Sequence, residues 1–153
     1  MNWLSDLICN PFLVTGITAW LTAQVLKTLI HLWIYKKFDI HRLFGDGGMP
    51  SGHSATVTSL VCMAGLIYGT GSFEFAVSAI LAIIVCHDAM GVRLETGKQA
   101  AIINDLVEIV DMLSTEKLTE VRLKEFVGHT PIQVFAGILV GAAVAGFMYI
   151  CIF

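Results

Sequence analysis

Four long apolar stretches dominate this chain, and they are long enough to suit helices that cross the hydrocarbon core of a membrane. They cover residues 11–33, 54–68, 73–92 and 131–153, and the second is the shortest. Hydrophobic residues make up 56% of the chain and charged residues only 14%, which is typical of a membrane protein. We therefore expect an all-α, polytopic membrane helix bundle of four transmembrane helices, forming a single domain over residues 1–153.

The basic residues lie on one side of this predicted bundle. All nine belong to the loops near residues 35–53 and 93–130 or to the adjoining helix ends, whereas the opposite side carries only Asp6 and Glu74 as charges. Lysine and arginine are enriched in cytoplasmic loops, so the pattern predicts that both long loops are cytoplasmic and both termini are outside. We expect a multi-pass protein of a bacterial plasma membrane.

Residues 47–55, Gly-Gly-Met-Pro-Ser-Gly-His-Ser-Ala, place a turn, a hydroxyl and a histidine directly before the second apolar stretch. If this stretch is a helix, its first backbone N–H groups lie beside Ser51 and His53 and suit an anion, above all a phosphate. His53 adds a group that gains or loses a proton near neutral pH. A helix N-cap after a Gly-Pro turn, with His53 merely exposed, is the alternative interpretation.

Further polar residues fall at the same predicted membrane boundary. Gln24, Lys27 and His31 share one face at the end of the first stretch, and such a polar face points into a bundle rather than at lipid. Asp88 ends the third stretch, and His129 stands just before the fourth. Ionisable residues inside a membrane are candidates for function, so we predict a shared site.

The second long loop contains a predicted amphipathic helix over residues 99–113. Its apolar residues form one broad stripe, and three acidic residues at spacings of three, Asp105, Glu108 and Asp111, lie on the other side. Such a cytoplasmic helix lies on the membrane surface or packs against the bundle. The acidic residues form a solvated face, with a metal site as the alternative. A second short helix is predicted over residues 118–127.

A resident metal is not expected from the sequence. The four cysteines are scattered over separate apolar segments and form no C-x-x-C pair or zinc spacing. The five histidines likewise show no standard ligand spacing.

Several of these motifs together resemble a known family. Residues 50–53, Pro-Ser-Gly-His, match the central motif of the type 2 phosphatidic acid phosphatase (PAP2) superfamily, and residues 128–137 look like its third motif. With residues 87–93, residues 97–100 and Asn104, the pattern is similar to a small branch, the divergent PAP2 family. The resemblance extends from residue 24 to residue 137.

The resemblance implies a phosphatase that acts through a phosphohistidine. His129 would be the nucleophile, and His53 the general acid that protonates the leaving alkoxide and then activates water. Lys27 would match the lysine of the first PAP2 motif. The phosphate-binding set implied by the resemblance is Lys27, Ser51, Gly52, Arg42, Arg93 and Lys124. This chemistry requires no metal and no cofactor, because fixed cations and amides neutralise the transition state.

The chain departs from the PAP2 pattern beside the nucleophile. PAP2 enzymes place an aspartate four residues after the nucleophilic histidine, and here that position is Gln133. Its amide oxygen can accept the imidazole N–H but supplies no negative charge. Asp88 or Glu125 would then be the carboxylate that substitutes for the aspartate from another segment.

Two classes of function follow. The first is a membrane phosphatase acting on a lipid phosphate, either a phospholipid or a polyprenyl phosphate, at the cytoplasmic leaflet. The second is a protein that binds or transports a lipid or anion with the same cationic pocket. Vanadate-dependent haloperoxidase chemistry is a more distant alternative. We expect membrane lipid as a partner and no nucleic acid, and a homo-oligomer stays open.

Overall fold

The computed structural model describes residues 3–36, 48–113, 122–123, 125 and 128–152. Regular structure in these ranges is entirely helical, as the sequence predicts. The helices in chain order are α1 (Trp3–Ile8), α2 (Pro11–Tyr35), α3 (Gly52–Tyr68), α4 (Phe73–Met90), α5 (Val92–Leu113) and α6 (Pro131–Ile152).

Within the described ranges, three helical stretches are long and apolar enough to cross a membrane: α2, the stretch over α4 and α5, and α6. Helix α3 has 17 residues, a length of about 25 Å at 1.5 Å per residue. It packs against α2, α4 and α6 and therefore occupies the centre of the bundle. The structure thus supports an integral membrane bundle, and the count of four spans stays a prediction.

Helices α3 and α6 approach each other closely through two glycines. A Cβ atom on Gly137 would lie 2.4 Å from the Ser51 carbonyl oxygen, and one on Gly141 would lie 2.3 Å from the Ala55 carbonyl oxygen. Both pairs advance by four residues in the same direction, so the two helices run parallel. This spacing is the small-xxx-small pattern that allows helix backbones to meet inside a membrane.

Helix α3 runs antiparallel to α2, and its N-terminus lies beside the middle of α2. A Cβ atom on Gly52 would meet the Trp20 ring at 3.2 Å, and the rings of Phe12 and Tyr68 stack at the far end. The part of α2 after Trp20 extends about 22 Å along the helix axis beyond the N-terminus of α3. The turn before α3, at residues 48–51, therefore lies beside the second half of α2 and not at its end.

The predicted boundaries of the loop helices need correction. Helix α5 begins at Val92 rather than at residue 99, because only Gly91 separates it from α4. The predicted helix over 118–127 is wrong at Arg122, Leu123 and Glu125, which have no helical structure. Leu123 instead pairs its backbone N–H and C=O with the side chain of Asn104. The other residues of that prediction lie outside the described ranges.

Candidate functional site

The two histidines proposed for catalysis lie side by side. Their imidazole rings meet edge to face, with centroids 5.9 Å apart and planes inclined by 79°. His129 is buried, with 2% of its surface exposed, whereas His53 is exposed. His53 is therefore the member of the pair in contact with the surroundings. The structure brings these residues together as the sequence predicts, and their catalytic roles remain proposals.

The parallel packing of α3 and α6 explains this meeting. Ser51 is the N-cap of α3, and its backbone N–H donates to the carbonyl oxygen of Gln133 in the first turn of α6, at 3.0 Å. The start of α3 therefore lies beside the first two turns of α6, because Ser51 also approaches Gly137. His53 stands in the first turn of α3, and His129 stands two residues before α6.

The end of α4 fixes the backbone of His129. The His129 N–H donates to the carbonyl oxygen of Ala89 at 2.9 Å. Just before it, Gly128 adopts φ +90°, and a Cβ atom there would lie 2.4 Å from the backbone nitrogen of Leu94. Only glycine allows both this conformation and this close approach. His129 is thus held between the end of α4 and the start of α5.

Ser51 serves as a helix cap in this structure. Its hydroxyl oxygen accepts from the Ser54 N–H at 3.4 Å and lies 3.1 Å from the Ser54 hydroxyl oxygen. Both serines are fully buried. The N-cap interpretation of the sequence motif is therefore confirmed for Ser51, and phosphate binding by Ser51 or by the Gly52 amide remains a proposal.

Gln133 caps the other helix. Its side-chain oxygen accepts from the backbone N–H of Thr130 at 3.1 Å, the reach-back contact of a capping box. The amide oxygen of Gln133, predicted from the sequence to accept from the His129 ring, is thus engaged at the N-terminus of α6. Because its backbone also accepts from Ser51, Gln133 connects the two helix ends that carry the histidines.

One face of α2 forms the wall beside these helix ends. Gln24, Lys27 and Thr28 are buried there, and a Cβ atom on Gly48 would lie 3.4 Å from the Lys27 methylene carbons. The predicted orientation of Gln24 and Lys27 toward the bundle is confirmed. His31, one turn further, is only half-buried and packs on Tyr35, with ring centroids 4.6 Å apart.

The remaining predicted site residues are distributed differently. Asp88 and Arg93 form an ion pair at 2.9 Å, and both side chains are nearly half exposed. Glu125 accepts from Asn104 at 2.8 Å. Each carboxylate suggested as a substitute for the missing aspartate therefore has a local partner, and their roles toward His129 remain proposals. Arg42 and Lys124 lie outside the described residues.

Sequence reasoning missed two residues that shape the site. Trp20 packs on Gly52, and the spacing of four between Trp20 and Gln24 is a signal that they share a helix face. Ser54 meets the Ser51 hydroxyl, and a hydroxyl residue three positions after an N-cap serine is a recognisable capping position.

The geometry concentrates positive potential in one place. Two parallel helices begin close to each other, and each N-terminus is equivalent to roughly half a positive charge. The buried cation Lys27 lies along the adjacent face of α2. Such an arrangement suits an anion such as phosphate. Among the described residues, no group of three His, Cys, Asp or Glu side chains is placed to hold a metal ion.

Comparisons with known proteins agree with the resemblance seen in the sequence. The chain matches the model of a family described as the divergent PAP2 family over residues 8–144. It is 42% identical over 145 residues to the uncharacterized membrane protein YuiD of Bacillus subtilis (strain 168), an alignment that covers 89% of this chain and 92% of that protein. No solved structure matches the chain significantly.

Proposed function

The chain belongs to the divergent PAP2 family, and from this membership we propose that it is a membrane-embedded phosphatase that hydrolyses a lipid phosphate. The observation that carries the proposal is the edge-to-face contact of His53 and His129 at the N-termini of two parallel helices. A nucleophile and a proton donor within one phosphate's reach, beside a cluster of positive potential, are what phosphoryl transfer through histidine requires.

In the proposed first step, a ring nitrogen of His129 attacks phosphorus and the bond between phosphorus and the lipid oxygen breaks. His53 donates its proton to the departing alkoxide. In the second step, neutral His53 takes a proton from water, and the resulting hydroxide attacks the phosphohistidine. Inorganic phosphate leaves, and both histidines return to their starting states.

The exposure of the two rings fits these different tasks. His53, the exposed ring, exchanges its proton with water in each cycle. His129 is buried, so solvent competes less with the phosphoryl group for its ring. Lys27 and the backbone amides of the two helix N-termini would neutralise the phosphoryl oxygens, which is the electrostatic stabilisation that phosphoryl transfer needs.

A lipid is the proposed substrate because of where the helix ends lie. The N-terminus of α3 is set beside the middle of α2, a helix apolar enough to span a membrane. A phosphate held there is attached most simply to a molecule that already resides in the membrane, such as a phospholipid or a polyprenyl phosphate. The distribution of basic residues favours the cytoplasmic face.

The second candidate function is binding or transport of a lipid or anion without hydrolysis. The observation that favours it is the engagement of the Gln133 amide with Thr130, in a position where PAP2 enzymes carry an aspartate that charges and orients the nucleophile. A pocket without that negative charge still binds phosphate but makes a weaker nucleophile of His129.

The two functions are separated by one assay of the purified full-length protein. We would incubate it with a panel of lipid phosphates in neutral lipid nanodiscs and measure released inorganic phosphate, with phosphate-labelled substrate to trap a covalent intermediate. The enzyme proposal expects phosphate release and an acid-labile, base-stable label on histidine. Saturable lipid binding with no release from any member of the panel would contradict hydrolysis and support the binding function.

A further inference from the structure

Helix α5 carries an apolar face that the rest of the described structure leaves uncovered. Ile102, Leu106, Ile109 and Leu113 follow one another at spacings of four, three and four, so their side chains lie along one line of the helix. Their exposed fractions run from 53% to 84%. Of the other five helices, α5 contacts only α4. The sequence leaves two options for this helix, the membrane surface and the bundle. In the described part of the chain, the apolar face of α5 does not pack against the bundle.

The opposite face of α5 is occupied by the returning chain. Asn104 binds the backbone of Leu123, Glu108 pairs with Arg122 at 3.4 Å, and Gly128 packs on the backbone of Leu94. The contacted residues of α5 lie progressively closer to its N-terminus as the returning chain approaches His129. The buried small residues Gly97 and Ala100 lie along the same side. Helix α5 thus has one face that holds the segment before His129 and another that holds nothing within the described residues.

The start of α5 places this free face at the membrane boundary. Helix α4 is apolar and has only one buried residue, Ala89, as expected for a helix with a side in contact with lipid, and α5 follows it after Gly91 alone. Gly91 has φ −97° and ψ −97°, outside the usual α-helical values, and it separates the two helices. Helix α5 therefore starts where α4 ends, and the bilayer that α4 crosses is the apolar phase nearest to that start.

The charges on α5 indicate which kind of membrane surface its apolar face suits. No charged side chain belongs to the line of Ile102, Leu106, Ile109 and Leu113, and at the start of the helix Lys98 and Glu95 neutralise each other at 2.7 Å. Asp105 lies to the side of this line, and Glu108 lies on the opposite face. A helix without a basic rim gains nothing from anionic lipids, so its affinity rests on burial of apolar area.

We propose that α5 lies in the membrane–water interface, with the face formed by Ile102, Leu106, Ile109 and Leu113 buried at the acyl-chain boundary of the bilayer. The helix then holds the segment that leads to His129 against the membrane from its cytoplasmic-loop side. This docking does not depend on the proposed phosphatase activity, because it follows from the exposure and packing of α5 alone.

Site-directed spin labelling of the full-length protein tests the proposal. The four native cysteines are replaced, and single nitroxides are placed at Ile102, Leu106 or Ile109, with Asp105 and Glu108 as controls on the same helix. The protein is reconstituted in phosphatidylcholine nanodiscs. Collision rates are measured with oxygen, which concentrates in lipid, and with a water-soluble nickel chelate.

The proposal expects a ratio of oxygen to nickel collisions several-fold higher at the three apolar positions than at the two controls. Equal ratios on both faces, at the level of an aqueous helix, would overturn it. Shielding of the apolar positions from both reagents, with magnetic broadening that disappears on dilution with unlabelled protein, would also overturn it and assign the face to a second copy. Because each label replaces one exposed side chain, folding is checked for each variant by its unchanged elution and helical content.

Discussion

His53 and His129 meet edge to face at the N-termini of two parallel helices, although one follows the first long loop and the other follows the second. The contact depends on glycines at the α3–α6 interface rather than on either histidine, since Gly137 and Gly141 set the register of the two helices. The pair is therefore a property of the fold, and because His129 is buried, the folding of its variants is checked by melting temperature.

The first prediction concerns the roles of the two rings. His129→Ala removes the proposed nucleophile and should abolish phosphate release and histidine labelling. His53→Ala removes the proton donor and should slow release by about 10²- to 10⁴-fold, the usual contribution of general acid–base catalysis. His31→Ala is the matched control, because His31 packs on Tyr35 and should leave the rate unchanged. Undiminished release by His129→Ala would refute the phosphohistidine mechanism.

The second prediction tests how the backbone positions His129. Gly128 and Gly69 both have positive φ, at +90° and +81°, so alanine strains the backbone at each. Only at Gly128 would the new Cβ atom also collide with the backbone of Leu94. We expect Gly128→Ala to lower phosphate release at least tenfold and Gly69→Ala to leave it unchanged, with melting temperatures measured for both. Equal activity of the two variants would show that the position of His129 does not depend on this contact.

Much of this arrangement follows from the sequence. Periodicity and hydropathy predict the ends of α3 and α6 to within about two residues, because Ser51 and Pro131 mark their beginnings and the apolar runs are uninterrupted. The same reasoning predicts that Gln24 and Lys27 face the bundle, since lipid contact would leave a charge unsolvated. These are local consequences of side-chain chemistry.

The rest depends on contacts between distant segments. The sequence does not show that the amide of Gln133 caps its own helix, that Asp88 pairs with Arg93, or that Leu123 pairs with Asn104 instead of continuing a helix. Each of these side chains could form a hydrogen bond or ion pair of similar strength with several other groups. Which contact forms depends on how the distant segments are placed in the fold.

The third prediction concerns orientation in the membrane. Thr70 lies in the exposed turn between α3 and α4, and Lys36 lies exposed at the opposite end of the bundle, after α2. In a cysteine-free background, Thr70→Cys should react with an impermeant thiol reagent in intact cells, whereas Lys36→Cys should react only after permeabilisation. The opposite pattern would place the histidine pair on the outer face.

The fourth prediction separates the capping role of Gln133 from a catalytic role. Gln133→Ala removes the acceptor for Thr130 N–H and should lower the free energy of unfolding by about 1 kcal/mol, the usual cost of a lost cap. Gln133→Glu keeps an acceptor oxygen at the same distance along the side chain and should restore stability. Thermal unfolding in detergent measures both.

The activity of Gln133→Glu then tests the missing aspartate. If negative charge near His129 limits the present protein, this variant should release phosphate faster than the native protein at equal stability. An unchanged rate would show that Gln133 acts through the helix cap alone.

The fifth prediction concerns Lys27, the buried cation beside the two helix ends. Lys27→Met preserves most of the apolar stem that packs on Gly48 and removes the charge. A charge-assisted hydrogen bond is worth about 1.5–3 kcal/mol, so binding of orthovanadate, an analogue of phosphate, should weaken by roughly 10- to 150-fold. Lys36→Met, at the exposed end of the same helix, is the control and should bind vanadate as the native protein does.

Stability distinguishes binding by Lys27 from a purely structural role. Replacing a buried charge with an apolar side chain of similar size is often neutral or stabilising, because the charge no longer has to be desolvated on folding. We therefore expect Lys27→Met to lose vanadate affinity while its melting temperature is unchanged or higher. A variant that melts earlier and binds vanadate normally would show that Lys27 stabilises the bundle and does not hold the anion. Weaker vanadate binding at unchanged stability would show that Lys27 serves to bind the anion and not to stabilise the bundle.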